Sequence, residues 1–284
     1  MKIRSPLLVL ISGSNYECST RPNEFGTLVI KNLPFDPVLP NTPNDGRRPY
    51  NKLPFSEAVL ALIGCLAGDI FSYRDEKEGL LIQNICPIQG QEYRQENTGS
   101  MFLEFHTEDS FHPLPPDILM LSCLRGDRTK KAITCTACID QIIPLLKEET
   151  LNKLLESVFT IKSSSSFKNT KYTKQTPIVY KEEGKYYLVF DPSAMMASDK
   201  ESEVLLQTVY NLLRENTYGI CLEPNEAIII DNRKACHART GFVPFFDGYD
   251  RWLQRIFLTK NLDKYEDFFV QGTRVVDNRK LQRS

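Results

Sequence analysis

The stretch Glu104-Phe105-His106-Thr107-Glu108-Asp109-Ser110-Phe111-His112 holds two of the three histidines of the chain. The third, His237, closes Asp231-Asn232-Arg233-Lys234-Ala235-Cys236-His237. On a β-strand, residues i and i+2 point to the same face. If Met101 to Phe105 is a short strand, His106 and Glu108 can approach one ion together from its end. The partner they need must then come from a neighbouring strand, which can be distant in sequence. His237, just after the strand read at Ala227 to Ile230, meets that need. Two imidazoles and one carboxylate on one face leave half an octahedron open, the arrangement of non-haem Fe(II) oxygenase sites. His112, six residues from His106 and followed by Pro113, competes for the ion but reads as a structural support.

Outward from this stretch the chain reads as many short strands with a few helices. Strands are expected at Thr27 to Leu33, Leu80 to Pro87, Ile118 to Leu124, Ile133 to Thr136 and Trp252 to Leu258, with a hairpin joining Ile178–Tyr180 to Tyr186–Phe190 across Glu182-Glu183-Gly184. Helices are expected at Pro54 to Leu66 with Ser56 as N-cap, at Asp140 to Lys147, at Glu149 to Ser157 and at Ser202 to Asn216. Pro34 to Pro49 is too rich in proline for regular structure. The polar tract Lys162 to Gln175 reads as a structureless lid over residues 162–176. The sum is mainly β, a jelly-roll sandwich or barrel, in one domain spanning 1–284 with its core roughly at 79–260.

Composition narrows the function. A net charge of −1, with basic residues scattered, gives a nucleic acid nothing to hold. No run nears the roughly 18 apolar residues of a membrane span. Lys2, Arg4 and Leu7 to Ile11 imitate a signal peptide, but with a short apolar core, and read as part of the folded chain. The eight cysteines are scattered, which points to a reducing cytoplasm. Cys135-Thr136-Ala137-Cys138 lacks the second pair that zinc would need. There is no GxGxxG or Walker loop.

Two arginines give the metal reading its context. Arg251 and Arg255 sit in Arg251-Trp252-Leu253-Gln254-Arg255-Ile256-Phe257-Leu258, too apolar a strand to be exposed. A buried guanidinium needs an anion, and its fork suits a carboxylate. That anion is either a protein acid or a ligand.

These motifs together resemble the clavaminate synthase-like Fe(II)/2-oxoglutarate oxygenases, and among them the hydroxylases of free L-arginine, L-asparagine and L-lysine. The resemblance rests on His106-Thr107-Glu108-Asp109-Ser110-Phe111-His112-Pro113, on Asp231-Asn232-Arg233 leading to His237-Ala238-Arg239-Thr240, and on Asp250-Arg251-Trp252-Leu253-Gln254-Arg255. It covers roughly Leu80 to Leu258. It implies a double-stranded β-helix with flanking helices and a lid. It implies Fe(II) on His106, Glu108 and His237, with 2-oxoglutarate and O2 as cosubstrates. Arg251, fourteen residues after His237, and Thr134 would hold 2-oxoglutarate. Arg255 would hold the α-carboxylate of the amino acid, and Asn97, Asp191, Glu108 and Gln83 would complete its pocket.

Glu108 stands where halogenating relatives have a small residue, so the resemblance implies hydroxylation. Where arginine hydroxylases can present two acids, this chain has Val189 and Asp191. One carboxylate suits an ammonium better than a guanidinium fork. The expected substrate is therefore L-lysine, hydroxylated at C3 or C4. L-arginine, another polar amino acid, or a desaturation are alternatives, and a non-catalytic jelly-roll binding protein is the remote one. A homo-oligomer is left open.

Overall fold

The computed structural model describes residues 23–46, 53–164, 167 and 173–281. The signal-like segment at Met1 to Gly13 and Cys18 lie outside them. The described chain begins with β1 (Thr27–Ile30), α1 (Pro54–Ala67), β2 (Asp69–Tyr73), β3 (Gln83–Ile85), β4 (Leu103–His106), β5 (Ile118–Arg125) and β6 (Thr134–Cys138). It continues with α2 (Ile139–Ile142), α3 (Glu148–Leu154), β7 (Phe159–Lys162), β8 (Thr173–Thr176), β9 (Val179–Glu182), β10 (Lys185–Leu188) and β11 (Met195–Ala197). It ends with α4 (Lys200–Glu215), β12 (Tyr218–Ile220), β13 (Ala227–Asp231), β14 (Ala235–Arg239), β15 (Trp252–Thr259), β16 (Val275–Val276) and α5 (Asn278–Leu281).

Two sheets build the core. The larger runs β1-β13-β5-β15-β2-β16, with β3 also paired to β15; the smaller runs β12-β6-β14-β4. Alternation sets which face each residue serves. Leu119, Leu121, Leu253 and Phe257 of β5 and β15 join a core shared with Phe105, Ala137 and Ala238 of the smaller sheet. Met120, Ile256 and Leu258 turn the other way and bury themselves against Leu60 and Ile63 of α1. The larger sheet is thus apolar on both faces, which is why β15 reads as a continuous apolar run.

Helix α1 starts where expected, but Ser56 is not its N-cap. Pro54 occupies the first turn after Leu53, and the carboxylate of distant Asp36 accepts the Phe55 and Ser56 backbone N–H groups at 3.3 and 2.8 Å. The Ser56 hydroxyl instead accepts the Asp36 N–H at 3.1 Å. Asp36→Ala should therefore lower unfolding stability by about 1–2 kcal/mol, as loss of an N-cap does, measurable by urea denaturation. An unchanged midpoint would remove Asp36 from this role. Helix α4 begins at Lys200, ahead of the expected Ser202, because Asp199 caps it by accepting the Ser202 N–H at 2.8 Å.

The tract 162–176 is not structureless throughout. Thr173–Thr176 pairs antiparallel with Phe159–Lys162. Phe167 is buried, edge-on to Phe111 at 4.9 Å between ring centroids. The remaining five residues between 167 and β8, and residues 165 and 166, lie outside the described residues. Among the described residues no helix is long and apolar enough to cross a membrane.

Candidate active site

The site lies between the two sheets. His237 lies on a strand of its own, β14, rather than on the chain expected after β13. Its register places His237 directly opposite His106 on β4, and a bulge between that pair and Arg239–Leu103 shifts the ladder by one residue. Bulges of this kind re-aim side chains beside active sites. The two imidazole centroids stand 4.2 Å apart. Glu108 lies just past the end of β4, where the backbone turns, and Asp109 takes the left-handed φ of 48° there.

That turn is held from two directions. Asn232 accepts the Glu108 N–H at 2.7 Å and donates to the Glu108 carbonyl at 3.1 Å and to that of Pro116 at 2.8 Å. On the other side the Thr107 N–H donates to the Phe190 carbonyl at 2.7 Å, and the Thr107 hydroxyl accepts the Phe190 N–H at 3.0 Å. The Asn of Asp231-Asn232-Arg233 thus fixes the backbone of a residue 124 positions earlier.

One donor atom each from His106, Glu108 and His237 falls within 4.8 Å of the others. Glu108 Oε2 stands 3.4 Å from His237 Nε2 and 3.9 Å from His106 Nε2. The His106 Nδ1 meets the Glu104 carbonyl at 2.8 Å, an acceptor, so Nδ1 carries the proton and Nε2 offers a lone pair. Burial, with His106 alongside, lowers the His237 pKa to about 4, so that ring is neutral near pH 7. Burial would raise the Glu108 carboxyl, but the Arg255 guanidinium and the two histidines outweigh it and hold it well below the usual range. A carboxylate and two imidazoles converging on one point form a donor set for a divalent cation, and they fit Fe(II). His112 plays no part in it. It is fully buried, accepts the Leu114 N–H at 3.0 Å on Nδ1 and meets the Asn278 side-chain oxygen at 2.9 Å through Nε2.

Arg251, just before β15, and Leu253 and Arg255 within it all reach the cavity from the opposite sheet, and Thr134 reaches it from β6. Arg251 is buried. Its hydrogen bond among the described residues is a long one, 3.5 Å, to the Thr134 hydroxyl, and no carboxylate pairs with it. Arg255 is the opposite case. Its Nη1 donates to Glu108 Oε1 at 2.7 Å, its Nε to Gln83 Oε1 at 3.0 Å, and its Nη2 to Glu76 and Gln83. Nη1 has a second N–H with no acceptor among the described residues. Gln83, opposite Arg255 in the β3–β15 register, braces it from behind and is not on the cavity wall.

Asn97 and Asp191 do line the cavity. The Asn97 side-chain oxygen is buried without a partner among the described residues. Asp191 accepts the Ser193 and Ala194 N–H groups at 3.0 and 3.1 Å through one oxygen, leaving the other uncommitted. Glu76 and Asp109 are further wall residues, outside the sequence-derived set, and each keeps one buried carboxylate oxygen unpartnered. Burial raises the carboxyl pKa of both, with the Glu108 carboxylate adding repulsion to each, and burial raises that of Asp191. Asp109 directly follows Glu108 and was legible as a neighbour of the metal motif. Glu76 lies in a turn with no motif around it.

Comparison with known proteins agrees with this geometry. The profile of the taurine catabolism dioxygenase TauD, TfdA family matches residues 23–257. The L-asparagine oxygenase of Streptomyces coelicolor is 34% identical over 239 residues, 84% of this chain and 72% of that one. The L-lysine 3-hydroxylase of Catenulispora acidiphila is 33% identical over 241 residues, 82% of this chain and 67% of that one. A crystal structure of asparagine oxygenase in complex with Fe(II), 2S,3S-3-hydroxyasparagine and succinate superimposes with a TM-score of 0.84 at 32% identity, covering 89% of this chain and 80% of that one.

Proposed function

The chain belongs to the taurine catabolism dioxygenase TauD, TfdA family, and from that membership we propose that it hydroxylates free L-lysine at C3 or C4, releasing succinate and CO2. It is a 2-oxoglutarate-dependent dioxygenase of the amino-acid hydroxylase group, with Fe(II) as cofactor and the jelly-roll fold of its relatives. His106, Glu108 and His237 would hold the iron. When bound with 2-oxoglutarate and O2, that iron supplies the oxidising power to place a hydroxyl on an unactivated carbon. The protein contributes binding, orientation and exclusion of water.

The observation that carries the substrate reading is the division of charge across one cavity. Arg251 waits at one end without an acid, and a dicarboxylate such as 2-oxoglutarate supplies the anion it lacks, with Thr134 alongside. Glu76, Asp109 and Asp191 lie together elsewhere on the wall, with Arg255 paired to Glu76. Carboxylates that repel one another gain from an ammonium placed between them. Arg255, through its unused N–H, takes the α-carboxylate, and Asn97 and Glu76 face the α-ammonium. Asp191 takes the side-chain ammonium, and the span from Arg255 to Asp191 sets which carbon meets the iron. The hairpin of β7 and β8 brings Ser164 to the rim and serves as the lid. The seven described cysteines are all free, which fits a reducing cytoplasm.

Asp191→Ala should weaken lysine binding by about 10–100-fold, the worth of one hydrogen bond to a charged group, and leave 2-oxoglutarate binding unchanged. Calorimetric titration of each ligand checks this, and unchanged lysine affinity would remove Asp191 from its role. L-asparagine is the second reading. The likeness to asparagine oxygenase favours it, and the same Asp191 oxygen could accept an amide N–H. A substrate panel separates the two.

A further inference from the structure

Three buried arginines face the cavity, and they use their donors differently. Arg251 has a hydroxyl, and Arg255 has two carboxylates and an amide. Arg239 has neither. Its Nη1 donates to the Gly99 carbonyl at 2.7 Å and its Nη2 to the Met101 carbonyl. It is 6% exposed and its Nε has no partner among the described residues. Its guanidinium lies over the Phe242 ring, 4.9 Å from the centroid. A buried cation given only carbonyl oxygens keeps its charge uncompensated, at a cost in stability.

Those bonds hold the connection between β3 and β4. Its residues Gln95, Glu96 and Asn97 form part of the cavity wall. The loop is tightly wound: Ile88 N–H donates to Thr98 at 3.0 Å and Ser100 N–H to Glu92 at 2.9 Å. A Cβ on Gly99 would stand 2.1 Å from the Arg94 carbonyl oxygen, so only glycine fits there. Besides Arg239, the Phe242 N–H ties the loop to the segment that follows β14, donating to Ser100 at 2.9 Å. Arg239 lies two residues beyond His237 on the same face of β14. The strand that presents the imidazole therefore also presents the clasp.

We infer that Arg239 is a positioning residue for the amino acid: it fixes the loop so that the unpartnered Asn97 oxygen faces the N–H donors of the substrate. The inference rests on the proposed reading of the cavity. It separates three arginines into three tasks, with Arg251 for the cosubstrate, Arg255 for the amino acid and Arg239 for the loop between them.

A double-mutant cycle on the full chain tests it. L-lysine and, separately, L-asparagine are titrated calorimetrically into protein loaded anaerobically with Fe(II) and 2-oxoglutarate. Arg239→Met and Asn97→Ala should each weaken the bound amino acid by about tenfold. The double variant should bind no more weakly than Asn97→Ala alone, and 2-oxoglutarate affinity should stay within about twofold in Arg239→Met. Additive losses, or unchanged amino-acid binding in Arg239→Met, overturn the inference. Amide hydrogen exchange of the ligand-free protein gives a second reading. Residues 88–102 should exchange faster in Arg239→Met while β5 stays protected. A loop that does not loosen overturns the clasp whatever binds. Should the unaltered protein take up neither amino acid, the substrate reading fails, and the exchange result still decides whether Arg239 holds the loop.

Discussion

Glu108→Ala is expected to reduce amino-acid-dependent succinate formation to background and to weaken Fe(II) binding by more than the 10–100-fold typical of residues that only support a metal ligand. Both effects follow from one carboxylate serving two partners. Oε2 faces the two histidines, and Oε1 accepts from Arg255 at 2.7 Å. Alanine therefore removes a metal ligand and also an anion from a buried guanidinium. Glu108→Gln separates the two losses. It keeps an acceptor for Arg255 but not the charge, so Fe(II) affinity should fall while the melting temperature falls less than in the alanine variant. Fe(II) titration together with thermal unfolding of the two variants checks this. Turnover within tenfold of the unaltered protein in Glu108→Ala would remove Glu108 from the metal site.

Arg251→Met is expected to raise the KM for 2-oxoglutarate by at least about 30-fold, in line with the 2–5 kcal/mol lost when one member of a buried charged contact is truncated. Its effect on stability should run the other way. Arg251 is a buried cation with no carboxylate partner among the described residues, and burial lowers its pKa. Replacing an uncompensated buried charge by an apolar side chain of similar length should leave the ligand-free protein as stable or more so. Arg255→Met should do the reverse, costing about 3–5 kcal/mol by leaving Glu76 and Glu108 without their cation. Thermal unfolding of both variants without ligands decides between these signs. A melting temperature that falls in Arg251→Met as far as in Arg255→Met would mean that Arg251 has a structural anion after all.

The contrast between these arginines shows what the sequence could and could not disclose. Both were legible as buried cations, because β15 is too apolar to lie at a surface. Which of them already had protein acids depends on Glu76, which reaches Arg255 from a turn far away in sequence. A contact of that kind leaves no local pattern. His106 and Glu108 were legible because a strand end imposes a period of two. The strand that carries His237 was not, because Ala235-Cys236-His237-Ala238-Arg239 is buried throughout and shows no alternation of apolar and polar residues. The short strands β2, β8, β11, β12 and β16 escaped for a related reason. Their pairing, not their composition, makes them strands. The cap of α1 was misplaced because Ser56 is a good local candidate, whereas Asp36 reaches the helix from outside it.

Decarboxylation of 2-oxoglutarate in this cavity should be coupled to hydroxylation of a free amino acid. Succinate release measured with Fe(II), 2-oxoglutarate, O2 and each of the twenty amino acids in turn tests it directly. L-lysine should raise succinate formation the most, with one hydroxylated lysine formed per succinate. A panel in which no amino acid raises succinate above the level seen with 2-oxoglutarate alone would contradict the claim.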